Sequence, residues 1–75
     1  MNNTRRKEIK KVVAALEELN ATIQRIQDEE DDAMMAIEEK FGDTERYEKM
    51  EECYDAMGDA IQAIEEAVEY LEDCL

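Results

Sequence analysis

Carboxylates are the side chains of this sequence whose number and spacing could support chemistry, since 22 of its 75 residues are Asp or Glu. Glu48, Glu51, Glu52 and Asp55 are separated by offsets of three and four residues, which place them on one face of a helix. Carboxylates spaced in this way hold magnesium in helical nucleotide pyrophosphatases. No nucleotide pocket accompanies them here, so we expect neither a metal site nor a cofactor.

A second acidic cluster, Asp28 to Asp32, consists of five consecutive acidic residues. It lacks the alternating ligands and the central glycine of an EF-hand loop. Consecutive helical residues point in different directions, so these carboxylates cannot converge on one ion. The chain also contains no His and no Ser, which excludes Ser-His and Cys-His catalytic pairs. We therefore expect a protein that is not an enzyme.

The two cysteines, Cys53 and Cys74, lie 21 positions apart in the sequence. On one helix this separation is roughly 31 Å, far beyond the reach of a disulfide. Free cysteines suggest a reducing compartment, and the sequence contains no signal peptide and no apolar run of about 20 residues. We expect a cytoplasmic protein without a membrane segment.

Apolar residues recur at heptad spacing in two stretches, which predicts two amphipathic helices with coiled-coil seams. In the first stretch, the a column holds Ile9, Leu16, Ile23, Glu30 and Ile37, and the d column holds Val12, Leu19, Ile26, Ala33 and Lys40. In the second, the a column holds Tyr47, Tyr54, Ile61, Val68 and Leu75, and the d column holds Met50, Met57, Ile64 and Leu71.

Between the two stretches, the segment 41–45 interrupts the pattern. Gly42 suits the left-handed residue that ends a helix, and Asp43 or Thr44 can cap the next one. We predict a single domain, with helix one at about 4–40, a turn at about 41–44 and helix two at about 44–74. Folding the chain at this turn pairs each a residue with a d residue, as in Leu16 with Leu71, Leu19 with Val68, Ile23 with Ile64, Ile26 with Ile61, Ala33 with Tyr54 and Ile37 with Met50. The predicted fold is an all-α antiparallel two-helix hairpin.

The net charge of −13 is patterned along these helices. One set of acidic residues recurs every three or four positions on helix two, with one interruption at Gln62, and we call it the acidic stripe: Glu45, Glu48, Glu52, Asp55, Asp59, Glu66 and Glu69. A second set on helix one, the acidic belt, is predicted to lie level with the middle of the stripe: Asp28, Glu29, Asp31 and Asp32. Such a surface disfavours nucleic acids and anionic membranes, and it predicts a basic protein surface as the partner.

Five basic residues form a cluster at the start of helix one: Arg5, Arg6, Lys7, Lys10 and Lys11. Positive charge at a helix N-terminus opposes the helix dipole. In a hairpin this cluster neighbours the acidic residues Glu69, Glu72 and Asp73 at the end of helix two, which compensates both charge sets.

A lone two-helix hairpin of this size has a thin core, which favours association of two copies into a four-helix bundle. Apolar residues flank the main seam of helix one, and small residues flank that of helix two. We predict that a homodimer forms through Val13, Met34, Met35, Phe41, Ala60 and Ala67.

The segments RRKEIKKVVAALEEL, QDEEDDAM, RYEKMEE and AIEEAVEYLED resemble a loose group of short acidic helical-hairpin proteins. These proteins occur in phages, prophages and conjugative elements of Gram-positive bacteria, and the similarity spans nearly the whole chain. Many members carry a proline-containing segment near the turn, which this sequence lacks. The resemblance implies an origin in a mobile element and assigns no functional residue.

Three functions are compatible with the sequence. The chain could be an acidic mimic of nucleic acid that inhibits a basic DNA- or RNA-handling or defence protein of the host. It could instead be a structural or accessory phage protein whose acidity serves solubility. The third alternative is a binder of a small ligand or divalent metal at a dimer interface.

Overall fold

The computed structural model describes residues 1–40 and 44–75 of the chain. It contains two α-helices, α1 over Asn3–Lys40 and α2 over Thr44–Glu72, which pack against each other as a hairpin about 58 Å long. The described residues form no strand. The all-helical hairpin predicted from the heptads is confirmed. The predicted turn residues Phe41, Gly42 and Asp43 lie outside the described residues.

The N-terminus of α1 is capped by a residue that the sequence pattern did not single out. The Asn2 side-chain oxygen accepts a hydrogen bond of 2.8 Å from the backbone N–H of Arg5, which satisfies one of the free donors of the first turn. The first turn of α1 contains no acidic residue, whereas Glu45 lies in the first turn of α2 and suits its positive end.

The hairpin interface follows the predicted columns on α2 but only one of them on α1. The a and d residues of α2 from Tyr47 to Leu71 are all half-buried. On α1, the a column is half-buried or buried, and Ile37 is 9% exposed. The second row that faces α2 is the e column, which we call the inner row: Val13, Asn20, Gln27 and Met34.

The predicted d column of α1 is therefore wrong as a hairpin seam. Val12, Leu19 and Ile26, which we call the outer apolar row, are 48%, 56% and 41% exposed. Leu19 and Ile26, predicted to form layers with Val68 and Ile61, are therefore exposed, and so is Ala33, predicted to pair with Tyr54. On a straight helix, the d column lies about 60° to one side of the a column and the e column about 40° to the other side, so only one of them can turn fully toward α2.

Polar contacts fill the middle of the hairpin interface. The Gln27 amide Nε2 donates a hydrogen bond of 3.2 Å to the Tyr54 backbone oxygen. Gly58 makes room for this side chain, since a β-carbon at that position would lie 3.3 Å from Gln27 Nε2. The Asn20 side-chain oxygen is buried and has no hydrogen-bond partner. A buried oxygen without a partner lowers the free energy of unfolding by about 1–3 kcal/mol. Packing the inner row against α2 therefore destabilises the hairpin at Asn20.

The core of the hairpin is thin. Val13, Met34 and Ile37 are its buried apolar residues, at 8%, 6% and 9% exposure, and no described side chain is fully buried. Neither helix is long and apolar enough to cross a membrane over the part of the chain that the structure describes.

Candidate partner-binding surfaces

The acidic stripe lies along the side of α2 that faces away from α1. All seven of its residues are exposed, from Glu45 in the first turn to Glu69 near the end of the helix. Over its 29 residues, α2 carries ten acidic and two basic side chains, a net charge of −8. At about 1.5 Å per residue this is roughly one net charge per 5 Å of helix. The helix therefore presents a negative surface along its length, with one gap in the stripe at Gln62.

The acidic belt on α1 is exposed at Asp28, Glu29 and Asp32 and half-buried at Asp31. Glu29 Oε1 accepts a hydrogen bond of 3.0 Å from Arg25 Nη1, in an ion pair whose side chains are 62% and 66% exposed. An exposed pair at this spacing contributes about 0.3–0.5 kcal/mol. The belt therefore keeps most of its charge available to a partner.

The basic cluster of α1 forms no ion pair with α2 among the described residues. Arg6 Nη1 donates a hydrogen bond of 3.2 Å to the Asn3 side chain on its own helix. Lys7, Lys10 and Lys11 are exposed. The expected compensation between the cluster and the acidic end of α2 is thus not realised as direct contacts, and the cluster's charge is available to another molecule.

Two open grooves are lined largely by carboxylates. One lies near the N-terminal end of α1 and is lined by Glu17, Asn20, Glu65, Val68, Glu69 and Glu72. The other is formed by Glu48, Glu51, Glu52 and Asp55 on α2. Among the described residues, no group of three or more potential ligands is arranged to hold a metal ion. The spacing that suggested magnesium binding therefore produces no metal cluster in these helices.

The residues predicted for self-association lie on different sides of the hairpin. Val13 and Met34 are buried in the hairpin interface, so they are not available to a second copy while the hairpin is intact. Met35 is 56% exposed, Ala60 is exposed, and Ala67 is half-buried. Phe41 lies outside the described residues. Among the five described residues, the buried Val13 and Met34 therefore do not share one accessible surface with Met35 and Ala60.

No family model, curated protein or solved structure matches the chain. The resemblance to acidic hairpin proteins of mobile elements stays a prediction. The surfaces themselves must therefore carry any functional argument.

The apolar surface that sequence reasoning missed is the outer apolar row. Its three large side chains are each 41–56% exposed, and half-buried Leu16 and Ile23 lie beside them. The signal was present in the sequence, because large apolar residues occur on both flanks of the a column of helix one, Val12, Leu19 and Ile26 on one and Val13 and Met34 on the other. A helix with two apolar flanks is typical of a bundle in which it contacts two neighbours.

Proposed function

We propose that this chain is a non-enzymatic binding protein of a mobile element, acting in the cytoplasm of a bacterial host. Its acidic surface takes the place of nucleic acid in the basic groove of a host DNA- or RNA-handling or defence protein. The observation that carries this proposal is the exposure of all seven residues of the acidic stripe along one helix. The stripe and the exposed part of the belt are the partner-binding residues.

The helical backbone supports mimicry, whereas the charge density of one hairpin falls short of that of DNA and that of two hairpins comes closer. Carboxylates fixed on a helix need no ordering of the backbone on binding, which for a flexible acidic tail costs about 1–2 kcal/mol per residue. One net charge per 5 Å is sparser than the charge of duplex DNA, which is about one per 1.7 Å. Two α2 helices side by side would carry about one net charge per 2.7 Å, on the same rise per residue.

We further propose that two hairpins associate into a four-helix bundle. The thin core supports this, since only three apolar residues are buried among those whose burial the structure describes, 1–37 and 45–75. The outer apolar row supports it as well, because association would cover three large exposed side chains.

Competition with labelled duplex DNA tests the mimicry proposal. The probes are purified non-specific DNA-binding proteins, a nucleoid protein of the HU type and a non-specific nuclease, and the readout is fluorescence anisotropy. We expect the chain to displace DNA from at least one of them at micromolar concentration, with an affinity that falls steeply as salt rises. Replacing Glu48, Glu52, Asp55 and Asp59 by their amides should weaken displacement at least about tenfold.

A matched control separates the stripe from net charge. Neutralising four exposed acidic residues outside the stripe, Glu8, Glu17, Glu65 and Glu72, changes the total charge by the same amount. We expect this variant to retain most of the affinity. Equal loss in both variants, or no displacement by the unaltered chain at about 150 mM salt, would contradict the proposal.

A structural or accessory role is the second candidate, and the outer apolar row is the observation that favours it. Such a protein would bind its partner through apolar contacts with little dependence on salt. Amide substitutions in the stripe would then leave partner binding unchanged, whereas changes in the outer apolar row would abolish it.

A further inference from the structure

We infer that α1 pairs antiparallel with α1 of a second copy through the outer apolar row, and that charge fixes the register of this pairing. The inference rests on the proposed association of two hairpins. It is independent of the proposal that the acidic stripe binds a basic protein. Its occupant is a second copy of this chain, for reasons of geometry, charge and surface area.

The outer apolar row of α1 lies on a side of the hairpin to which α2 also contributes residues. Gln27 of α1 and Gly58 of α2 meet along one side of the hairpin interface. The opposite side therefore carries the outer apolar row of α1 and the g column of α2, Cys53, Ala60, Ala67 and Cys74. Large apolar side chains on one helix thus lie beside small ones on the other, as in one half of a four-helix bundle.

In an antiparallel pair of α1 helices, the d residues of one copy pack against g residues of the other. The g column of α1 supplies the small exposed residues Ala15 and Thr22. One register places Leu19 beside the partner's Thr22 and Ile26 beside the partner's Ala15, so that each layer joins a large side chain to a small one. The two-fold axis then passes between residues 20 and 21.

Charges at the edge of this contact select that register. The c column lies next to the g column of α1, on the edge of this contact, and holds Lys11, Glu18, Arg25 and Asp32, all exposed. In the proposed register, Lys11 lies beside the partner's Asp32, and Glu18 lies beside the partner's Arg25. Two other registers keep the d and g residues in contact, and each is shifted by one heptad. One of them places Glu18 beside the partner's Glu18, and the other places Arg25 beside the partner's Arg25. Like charges at these positions are unfavourable.

Charge also selects the antiparallel orientation. Residues 5–11 contain five basic and one acidic side chain, whereas residues 28–32 are all acidic. A parallel pair would place each segment beside its own copy. The antiparallel pair brings the basic cluster alongside the partner's acidic belt, which supplies the opposite charge that the cluster lacks on α2.

The elongated hairpin has enough accessible surface to supply such an interface. The chain exposes 5817 Å², whereas a compact monomer of 8.7 kDa exposes about 4,700 Å². The excess, about 1,100 Å², exceeds the roughly 800 Å² that each partner buries in a standard protein interface. A second copy on the outer apolar row would remove most of this excess.

The same axis suits α2. Asn20 and Val68 line one groove, so the axis between residues 20 and 21 is level with Ala67. An axis there brings Ala67 near its own copy and Ala60 near the partner's Cys74, and small side chains allow two helices to approach closely. The acidic stripe stays on the outside of this bundle, whereas the belt lies near the partner's basic cluster. Partner binding therefore depends on the stripe more than on the belt.

Disulfide cross-linking tests the orientation. In a chain with Cys53→Ser and Cys74→Ser, the variants Ala15→Cys and Ile26→Cys are prepared separately and then mixed under oxidising conditions. We expect a cross-link between the two different variants, and little within either variant alone. A parallel pair would instead cross-link Ala15→Cys to itself, and that result would overturn the inference.

A charge exchange tests the register by sedimentation equilibrium. Lys11→Glu alone and Asp32→Lys alone should each weaken dimerisation at least about tenfold, and the double variant should recover to within about threefold of the unaltered chain. These residues are 21 positions apart on one helix, roughly 32 Å, so recovery requires contact between two copies. Failure of the double variant to recover, or a chain that is monomeric at about 100 µM, refutes the inference.

Leu19→Asp and Met35→Asp form a matched pair, because both side chains are 56% exposed. We expect Leu19→Asp to abolish dimerisation with helical content retained, and Met35→Asp to leave dimerisation unchanged. The reverse result would assign the interface to the side of Met35. If Leu19→Asp is monomeric and still displaces DNA as well per chain as the unaltered protein, the result supports the α1 interface and leaves the stripe as the DNA-competing surface. If the unaltered protein is a dimer that displaces no DNA, the result contradicts only the mimicry proposal.

Discussion

The inner row and the outer apolar row lie on the two sides of the a column of α1, and the more polar of the two is the one that packs against α2. The inner row, with two polar members in Asn20 and Gln27, faces α2, whereas the uniformly apolar outer row faces outward. Near the turn, the inner row has the larger apolar residue, since it holds Met34 where the d column holds Ala33. Farther from the turn, the d column has the larger apolar residues, since it holds Leu19 and Ile26 where the inner row holds Asn20 and Gln27. A heptad column in the sequence thus identifies an apolar side of a helix, but it does not identify which helix packs against that side. Four substitutions test this comparison, from the largest expected effect to the smallest.

The buried end of the inner row should carry the largest effect. Met34 is 6% exposed and Met35 is 56% exposed, so the two adjacent methionines form a matched pair. We expect Met34→Ala to lower the free energy of unfolding by about 2–5 kcal/mol, because it leaves a cavity in the thin core. Met35→Ala should change it by less than about 0.5 kcal/mol. Urea denaturation followed by circular dichroism measures both, and equal effects would place the interface elsewhere.

Asn20→Leu should stabilise the hairpin, because it removes the buried oxygen without a partner and adds apolar area to the interface. We expect a gain of about 1–2 kcal/mol in the free energy of unfolding. Asn20→Ala should give only part of this gain. A lower denaturation midpoint for Asn20→Leu would mean that the Asn20 side chain does not face α2.

Gly58→Ala probes the contact in the middle of the inner row. Alanine raises helix stability by about 1 kcal/mol over glycine, but its β-carbon would displace Gln27 from its hydrogen bond to the Tyr54 backbone, worth about 0.5–1.5 kcal/mol. We therefore expect a net change of less than about 0.5 kcal/mol. In a Gln27→Ala background the same substitution should stabilise by about 1 kcal/mol. A double-mutant cycle measures this difference, and additive effects would contradict the contact.

Glu29→Gln should have the smallest effect. It removes the ion pair with Arg25, whose side chains are both more than 60% exposed. We expect a loss of less than about 0.5 kcal/mol in thermal denaturation at low salt, and none at 1 M salt, where the pair is screened. A larger loss that persists in high salt would show that Glu29 contributes more than this pair.

The acidic stripe was readable from the sequence because its spacing lies within a single helix and depends on no partner element. Its residues are exposed as expected. The self-association surface was not readable in the same way. Val13 and Met34 were predicted to take part in self-association because they flank the main seam of helix one. The hairpin buries both of them, and Leu19 lies on the flank that stays exposed.

By itself, the sequence determined the two helices, the hairpin and the columns of α2 that face α1. Helical periodicity is a local property, and α2 has one flank that is rich in large apolar residues, so one orientation is favoured. Only the tertiary structure decided which flank of α1 meets α2. The d and e columns lie on opposite sides of the a column, and the choice between them depends on contacts such as Gln27 against Gly58, which form only when both helices are in place.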